Sequence, residues 1–307
     1  MKSIFAGSRV TVLYGGFSSE REVSLISGRQ VSLALREMNF NVTLLDVPKN
    51  IEKMIDLLQK SKPDVVFNAL HGKFGEDGCI QGILDMMSIP YTNSGRTASS
   101  IAMNKIFSKK IFSSAGLPVA KDDLITLSDL QEKDPFSRPY IIKPLDEGSS
   151  VGVFIIDDDF DITSLGDFFS KGNDYLMAEE YIPGRELTVA VLGDKSLAVT
   201  EIETRNDFYN YNAKYSTHGS SHILPAKLDR NIYNELLDIS LSAHQAISCR
   251  GVTRVDLRLD GKDPYILEIN TQPGLTPTSL VPEQAAYSGI SFNDLILWMM
   301  ENAKCDS

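Results

Sequence analysis

Thr253-Arg254-Val255-Asp256-Leu257-Arg258-Leu259, Asp260-Gly261-Lys262-Asp263-Pro264 and Tyr265-Ile266-Leu267-Glu268-Ile269-Asn270 run on without a break, two alternating apolar stretches around an Asp/Gly/Pro segment. That pattern predicts two antiparallel strands joined by a tight loop. With the loop centred near Lys262, Asp256 falls opposite Glu268 and Arg254 opposite Asn270, because side chains alternate faces with period two. Val255, Leu257, Leu267 and Ile269 then point the other way. Two readings of the polar face stay open at this point. One is an oxygen-ligand site for a hard cation such as Mg²⁺, and the other is the solvated outer face of an edge hairpin.

Outward from the hairpin, strands are predicted over Glu186 to Leu192 and Leu197 to Ile202, then a long polar loop and a helix over Asp229 to Ser248. Two closing helices lie near Val281 to Tyr287 and Phe292 to Asn302, with Trp298 assigned to the core. Residues 184–307 are read as one C-terminal domain. Before it, residues 97–183 form a small α+β unit. A helix over Ala98 to Ser114 ends at Gly116 and Pro118, and strands follow at Pro139 to Pro144, Val151 to Ile156 and Tyr175 to Tyr181 around a Gly/Ser loop and a short helix. Residues 1–96 alternate strand and helix: Val10 to Tyr14, a helix through Val23 and Val31 to Asn39, Phe40 to Leu45, Ile51 to Gln59, and Asp64 to Asn68. Ser19-Glu20-Arg21-Glu22 has capping-box spacing for the first helix. The alternation predicts a doubly wound parallel sheet, whose ligand loops would be Gly15 to Glu20 and His71 to Gly78.

The 307 residues allow two or three domains, and 42% hydrophobic with 23% charged residues is ordinary globular composition. A net charge of −11 argues against nucleic acid as a general partner. Three cysteines, Cys79, Cys249 and Cys305, suggest neither a disulfide framework nor a zinc cluster. No apolar run reaches membrane-spanning length and Met1 to Gly7 is too short for a signal peptide, so the expected setting is a reducing cytoplasm.

Glu147-Gly148-Ser149-Ser150-Val151-Gly152 directly follows Lys143. Small residues let backbone N–H groups approach phosphate oxygens and a lysine adds a point charge; the bland alternative is a hairpin loop. The pattern is neither the Walker nor the Rossmann phosphate loop. Glu179-Glu180-Tyr181-Ile182-Pro183-Gly184-Arg185-Glu186 reads as a connector able to edge a nucleobase, or as an acidic hinge.

Five motifs follow one another along nearly the whole chain: Gly15-Gly16-x-Ser18-x-Glu20-Arg21-Glu22-Val23-Ser24; His71-Gly72-x-x-Gly75-Glu76-Asp77-Gly78; Glu147 to Gly152; Tyr209-x-Tyr211-x-x-Lys214-Tyr215; and Arg254-x-Asp256 with Glu268-x-Asn270-Thr271-x-Pro273-Gly274. In this order they resemble the D-alanine–D-alanine ligases of the ATP-grasp superfamily. The resemblance implies a three-domain ATP-grasp fold in which two α+β units sandwich ATP, with the generally homodimeric assembly of that family.

It also implies roles. Lys105 and Lys143 would bind the phosphates and Lys214 the γ-phosphate, with the Ser149 loop closing over them. Glu179 and the backbone of Glu180 and Ile182 would hold adenine, and Glu186 the ribose. Asp256, Glu268 and Asn270 would hold two Mg²⁺ ions, or Mn²⁺, with Glu268 bridging. One D-alanine carboxylate would become an acyl phosphate and the amine of a second would attack it, Arg254 and the Gly274 N–H stabilising the oxyanion. Glu20 would receive the first ammonium with His71 beside it, linked to Ser149 and Tyr215, while Ser279 and Leu280 border the second substrate. Ser150 would either bind substrate or shape its loop. Lys214-Tyr215 favours an amine over a hydroxy acid as second substrate. Tyr209 and Tyr211 are read as loop packing, and His218, His222 and His244 as structural. Two departures stand out: Asn104 where the family usually has Asp, and Gln272 where it has a small or aliphatic residue.

Competing readings are a ligase for another amino or hydroxy acid and a nucleotide-binding regulator without turnover. The set Glu20, Arg254, Asp256, Glu268 and Asn270 argues against the regulator, since binding alone needs no oxyanion donor beside a metal face. The polar stretch from about Glu203 to Leu224 is expected to be mobile without ligand and ordered with it.

Overall fold

The computed structural model describes residues 7–145, 152–169, 175–204 and 220–306. The first sheet is parallel, in the order β2 (Asn41–Asp46), β1 (Arg9–Tyr14), β3 (Val65–Asn68). Alternation along these strands sends Val10, Val12, Val65 and Phe67 against α1 (Arg21–Glu37). Leu13, Leu45 and Val66 go against α2 (Ile51–Ser61) and α3 (Cys79–Met86). Both faces are thus covered, as a doubly wound sheet requires. Asn39 ends the first helix with φ 64°. The expected capping box is not formed: Glu20 occupies the N-cap without a side-chain cap hydrogen bond. Such a box does close α6 (Leu127–Glu132), through Thr126 and Asp129.

The single helix expected over Ala98 to Ser114 is two, α4 (Arg96–Met103) and α5 (Lys105–Ser114). Asn104 breaks it by adopting extended φ/ψ, and its side chain accepts the Phe107 N–H at 3.1 Å. Asn caps as well as Asp, so this departure leaves the start of α5 supported.

The second sheet is antiparallel, in the order β4 (Asp122–Ile125), β7 (Leu176–Glu180), β5 (Tyr140–Pro144), β6 (Phe154–Ile156). Its core of Tyr140, Ile142, Ile156 and Ala178 is closed by Leu130 of α6 and Leu165 of α7 (Leu165–Phe168).

The third sheet is antiparallel, β10 (Ser220–Ile223), β9 (Lys195–Thr204), β8 (Arg185–Leu192), β11 (Val252–Asp260), β12 (Asp263–Asn270). One face packs on α8 (Arg230–Ala246) and on α5 through Phe112. α9 (Leu280–Tyr287) and α10 (Phe292–Glu301) lie elsewhere, and Met299 and Met300 of α10 share a core with α1, Ala190 and Leu192. Trp298 packs half-buried against that core. Sequence periodicity gives no warning of α3, β4, α6 or β10, which are short, whereas the short helix expected in the central unit is α7. No helix among the described residues is long and apolar enough to cross a membrane.

Candidate active site

The opening hairpin turns at Gly261-Lys262, with Asp260 paired to Asp263 and Gly261 at φ 60°. A two-residue loop by itself would set Asp256 against Leu267. The register shifts by one residue between Asp256 and Leu257, so that Leu257 pairs with Ile266 but Asp256 pairs with Glu268 and Arg254 with Asn270. Leu267 is the extra residue of this bulge, a feature that re-aims side chains beside functional sites. The expected inward Leu267 is therefore corrected: Ile266 is fully buried in the core beside Val255, Leu257 and Ile269, and Leu267 is half-buried.

On the polar face, the Arg254 guanidinium donates from Nε to Asp256 Oδ1 (2.8 Å) and from Nη2 to Oδ2 (2.7 Å). Thr188, paired with Asp256 across β8 and β11, donates its hydroxyl to the same Oδ1 at 2.7 Å. Lys105, first residue of α5, places Nζ 3.2 Å from Glu268 Oε2. Asn270 Oδ1 accepts the Gln272 N–H at 3.0 Å. Among the described residues no three or more His, Cys, Asp and Glu side chains are grouped so as to hold a metal ion by themselves. The donor set is two facing carboxylates with an amide oxygen, all hard oxygen ligands of the kind Mg²⁺ takes.

One turn along α5 from Lys105, Lys109 binds Glu179 Oε1 and lies 3.6 Å from Asp122 Oδ1. Lys143 of β5 donates to Glu179 Oε2 at 2.6 Å. Burial opposes ionisation of Glu179, but the Lys143 and Lys109 charges outweigh it and hold the carboxyl below its usual range. The Glu180 N–H already donates to the Lys121 carbonyl at 2.9 Å, and the Ile182 carbonyl accepts Arg258 Nε at 3.1 Å. Arg258 also reaches Glu186 at 3.4 Å. The residues expected around adenine and ribose therefore form one continuous edge, from the end of β7 to the start of β8.

A third group comes from the first sheet. Glu20, His71 and Glu76 are buried; the charges of Glu20 and Arg254 act on both His71 and Glu76, and that of Glu268 acts on Glu76. Gly72 lies in the left-handed region (φ 70°), where a side chain is strained, and a Cβ there would stand 3.0 Å from the Glu20 carboxylate. Ser18 Oγ donates to the His71 carbonyl at 2.6 Å, and His71 Nε2 lies 3.3 Å from Ser27 Oγ. Burial pulls the imidazole below its usual pKa, with Arg254 acting in the same direction and Glu20 against. Glu76 accepts the Gly72 N–H at 2.9 Å on one oxygen, and its buried second oxygen has no hydrogen-bond partner among the described residues. Burial, then the Glu20 and Glu268 charges, push this carboxyl well above its usual range.

Gln272 fastens this group to the hairpin. Fully buried, it donates to the Asn68 carbonyl and accepts Asn93 Nδ2 at 2.8 Å, so it is a link between sheets. Leu275 N–H donates to Ser27 Oγ at 3.2 Å. A Cβ at Gly274 would meet Ser279 Oγ at 2.8 Å, which explains a glycine there. Ser279 is the N-cap residue of α9, and Leu280 packs on Ile202. Gln284 of the same helix accepts the Ala190 N–H at 2.7 Å and donates to the Thr188 carbonyl at 3.1 Å, tying α9 to the strand that supports Asp256.

Ser149, Ser150, Tyr209, Tyr211, Lys214, Tyr215 and His218, and most of the stretch expected to be mobile, lie outside the described residues. His222 bonds Glu283 at 2.8 Å and His244 bonds Thr253 at 2.8 Å, both away from the hairpin's polar face. Lys109 and Glu76 carry no signal of their own in the sequence. Glu76 stands inside the His71 to Gly78 motif, and only the fold shows it buried against Glu20.

A parallel sheet joined to two antiparallel ones, with lysines of α5 and β5 reaching carboxylates of β12 and β7, defines the ATP-grasp class of ligases. Residues 111–301 match the family profile described as D-ala D-ala ligase C-terminus, and residues 48–94 that of the D-ala D-ala ligase N-terminus. The chain belongs to the D-alanine–D-alanine ligase family. A D-alanine–D-alanine ligase of Rhodospirillum rubrum is 53% identical over 300 residues, covering 97% of this chain and 99% of the relative. One of Granulibacter bethesdensis is 53% identical over 303 residues, covering 97% and 98%. Among solved structures, a D-alanine–D-alanine ligase from Bacillus anthracis superposes with TM-score 0.83 at 31% identity, covering 96% of this chain and 97% of that one. A D-alanine–D-alanine ligase from Bacillus anthracis complexed with ATP gives 0.81 at 29% identity, covering 96% of each chain.

Proposed function

We propose that this chain joins two D-alanine molecules to D-alanyl-D-alanine at the expense of ATP, for peptidoglycan precursor synthesis in the cytoplasm. The observation that carries the proposal is the facing pair Asp256 and Glu268, with Arg254 on the same strand face and Lys105 delivered onto Glu268 by α5. The first D-alanine carboxylate attacks the γ-phosphorus of ATP and ADP leaves. Phosphorylation turns a poor leaving oxide into a good one. The amine of the second D-alanine then attacks the acyl carbon, loses a proton, and phosphate departs.

In this reading Lys105, Lys143 and Lys214 hold the phosphates. Glu179, the backbone of Glu180 and Ile182, and Glu186 hold adenine and ribose. Asp256, Glu268 and Asn270 hold two Mg²⁺ or Mn²⁺ ions, which when bound neutralise charge on the transferring phosphoryl group. Arg254, now paired with Asp256, is released to the tetrahedral oxyanion and acts there with the Gly274 N–H. Glu20 takes the first ammonium, favoured by its place at the start of α1. His71 supports that site, and Ser279 and Leu280 border the second substrate. Ser149, Ser150 and Tyr215 keep the closing and binding roles that the sequence resemblance implies. The division into units 1–96, 97–183 and 184–307, and assembly as a homodimer, belong to the same proposal.

Purified protein given ATP, Mg²⁺ and D-alanine should release phosphate and form the dipeptide, read by mass spectrometry. Neither product would sink the proposal. A panel of amino and hydroxy acids in the second position separates it from a ligase of other specificity.

A further inference from the structure

One turn of α5 separates two lysines with different surroundings. Lys105 reaches the hairpin and keeps 10% of its side chain exposed, whereas Lys109 is wholly enclosed. Its Nζ binds Glu179 Oε1 and lies 3.6 Å from Asp122, which pairs with Glu179 across β4 and β7. The other carboxylate oxygen, Oε2, is held by Lys143 at 2.6 Å. Two ammonium groups and two carboxylates thus form a balanced cluster. The balance fails once Lys143 turns to a triphosphate, and a buried carboxylate losing half its counter-charge would take up a proton unless another cation stayed on it. Lys109, with none of its side chain exposed, stays on the carboxylate.

We infer that Lys109 is a positioning residue for nucleobase selection. It keeps Glu179 anionic and fixed by one oxygen, so that the oxygen released by Lys143 accepts the exocyclic amino group of adenine. The inference rests on the assignment of Glu179 and Lys143 to ATP made above. A carboxylate only accepts hydrogen bonds, so it selects a 6-amino purine over a 6-oxo purine; a protonated Glu179 could donate to the 6-oxo group and lose that preference. Burial, with Lys143 acting in the same direction, lowers the pKa of the Lys109 ammonium, and Glu179 and Asp122 oppose this.

The test compares wild type, Lys109→Met, Glu179→Gln and the double variant with ATP, inosine triphosphate and purine riboside triphosphate, which has no 6-substituent. Lys109→Met should raise KM for ATP about tenfold relative to purine riboside triphosphate and erode the preference for ATP over inosine triphosphate equally, with kcat at saturation little changed. In the Glu179→Gln background, where no anion needs holding, the lysine substitution should leave nucleotide preference unchanged. A KM that rises by one factor for all three nucleotides, or an equal effect in both backgrounds, overturns the inference. If Lys109→Met alone does not fold, the double variant carries the test, because position 179 then buries no charge. A double variant that also fails to fold assigns Lys109 to packing and overturns the inference too. Wild type that binds none of the nucleotides in equilibrium dialysis refutes the ATP assignment itself, a result distinct from wild type that binds ATP and a Lys109 variant that discriminates as well as it does.

Discussion

The hairpin and the Glu179 cluster both pair carboxylates with cations, but under different conditions. At the hairpin, 12% of the Asp256 side chain and 28% of that of Glu268 remain exposed, and their partners Arg254 and Lys105 keep 15% and 10%. At the cluster, Glu179 keeps 3% and Lys109 none. A partly wet pair exchanges its counter-ions at modest cost, whereas a dry pair loses a partner only with a large penalty. In the proposed reaction the hairpin would be the side that trades its cations for metal and substrate, and the Lys109 side of the cluster the one that holds its geometry throughout.

That contrast breaks if substitutions in the two regions behave alike. Asp256→Asn or Glu268→Gln should lower turnover by about three orders of magnitude, while the melting temperature moves by only a few degrees; phosphate release and calorimetry read the two separately. Equal losses of activity and stability would make the hairpin a structural element. Glu179→Ala should do the reverse on stability, costing about 3–5 kcal/mol in urea unfolding because it leaves the enclosed Lys109 charge with only Asp122, 3.6 Å away. A cost below about 1 kcal/mol, the surface-pair range, would show the cluster to be wetter than its burial indicates.

The bulge that builds the hairpin face is tested by its two neighbours. Ile266→Ala should cost about 2–5 kcal/mol as a core truncation, and Leu267→Ala well under that. Equal costs, or the reverse order, would place the extra residue elsewhere and undo the facing of Asp256 and Glu268.

The same pair marks how far the sequence could be read. Period-two alternation and an Asp/Gly/Pro loop suffice to pair Asp256 with Glu268 and Arg254 with Asn270, because strand spacing converts directly into faces. They do not reveal that the loop has two residues and the bulge makes up the difference, so Leu267 reads as core and Ile266 does not. Asn104 shows a related limit: the apolar period runs through it, and only its capping geometry breaks the helix. Lys109 and Glu179 lie 70 residues apart and meet through tertiary packing, for which no local pattern exists. The parallel sheet is legible in its alternation of strand and helix, while α3 and β4 are too short to impose a period.

Glu76 gives the smallest effect and the clearest sign. Its carboxyl is buried with one oxygen unpartnered and sits within reach of the Glu20 and Glu268 charges, which together hold its folded pKa above the usual carboxylate value. Below that usual value, near 4.5, the group is protonated folded or unfolded and burial costs no ionisation. As pH rises, the unfolded chain ionises first and binds fewer protons than the folded one, so the stabilising contribution is lost on the way to the folded pKa. Glu76→Gln keeps an oxygen for the Gly72 N–H and removes the titration. Its unfolding midpoint should match wild type near pH 4.5 and exceed it increasingly toward pH 8, by thermal or urea denaturation. His71 supplies the opposite slope: its folded pKa is depressed, so its contribution is complete above pH 6.5 and falls away below it. A Glu76→Gln advantage that grew toward acid would mean that the carboxylate is stabilised as an anion, and that burial at this corner of the site is outweighed by a cation drawn to Glu20 and Glu76 together.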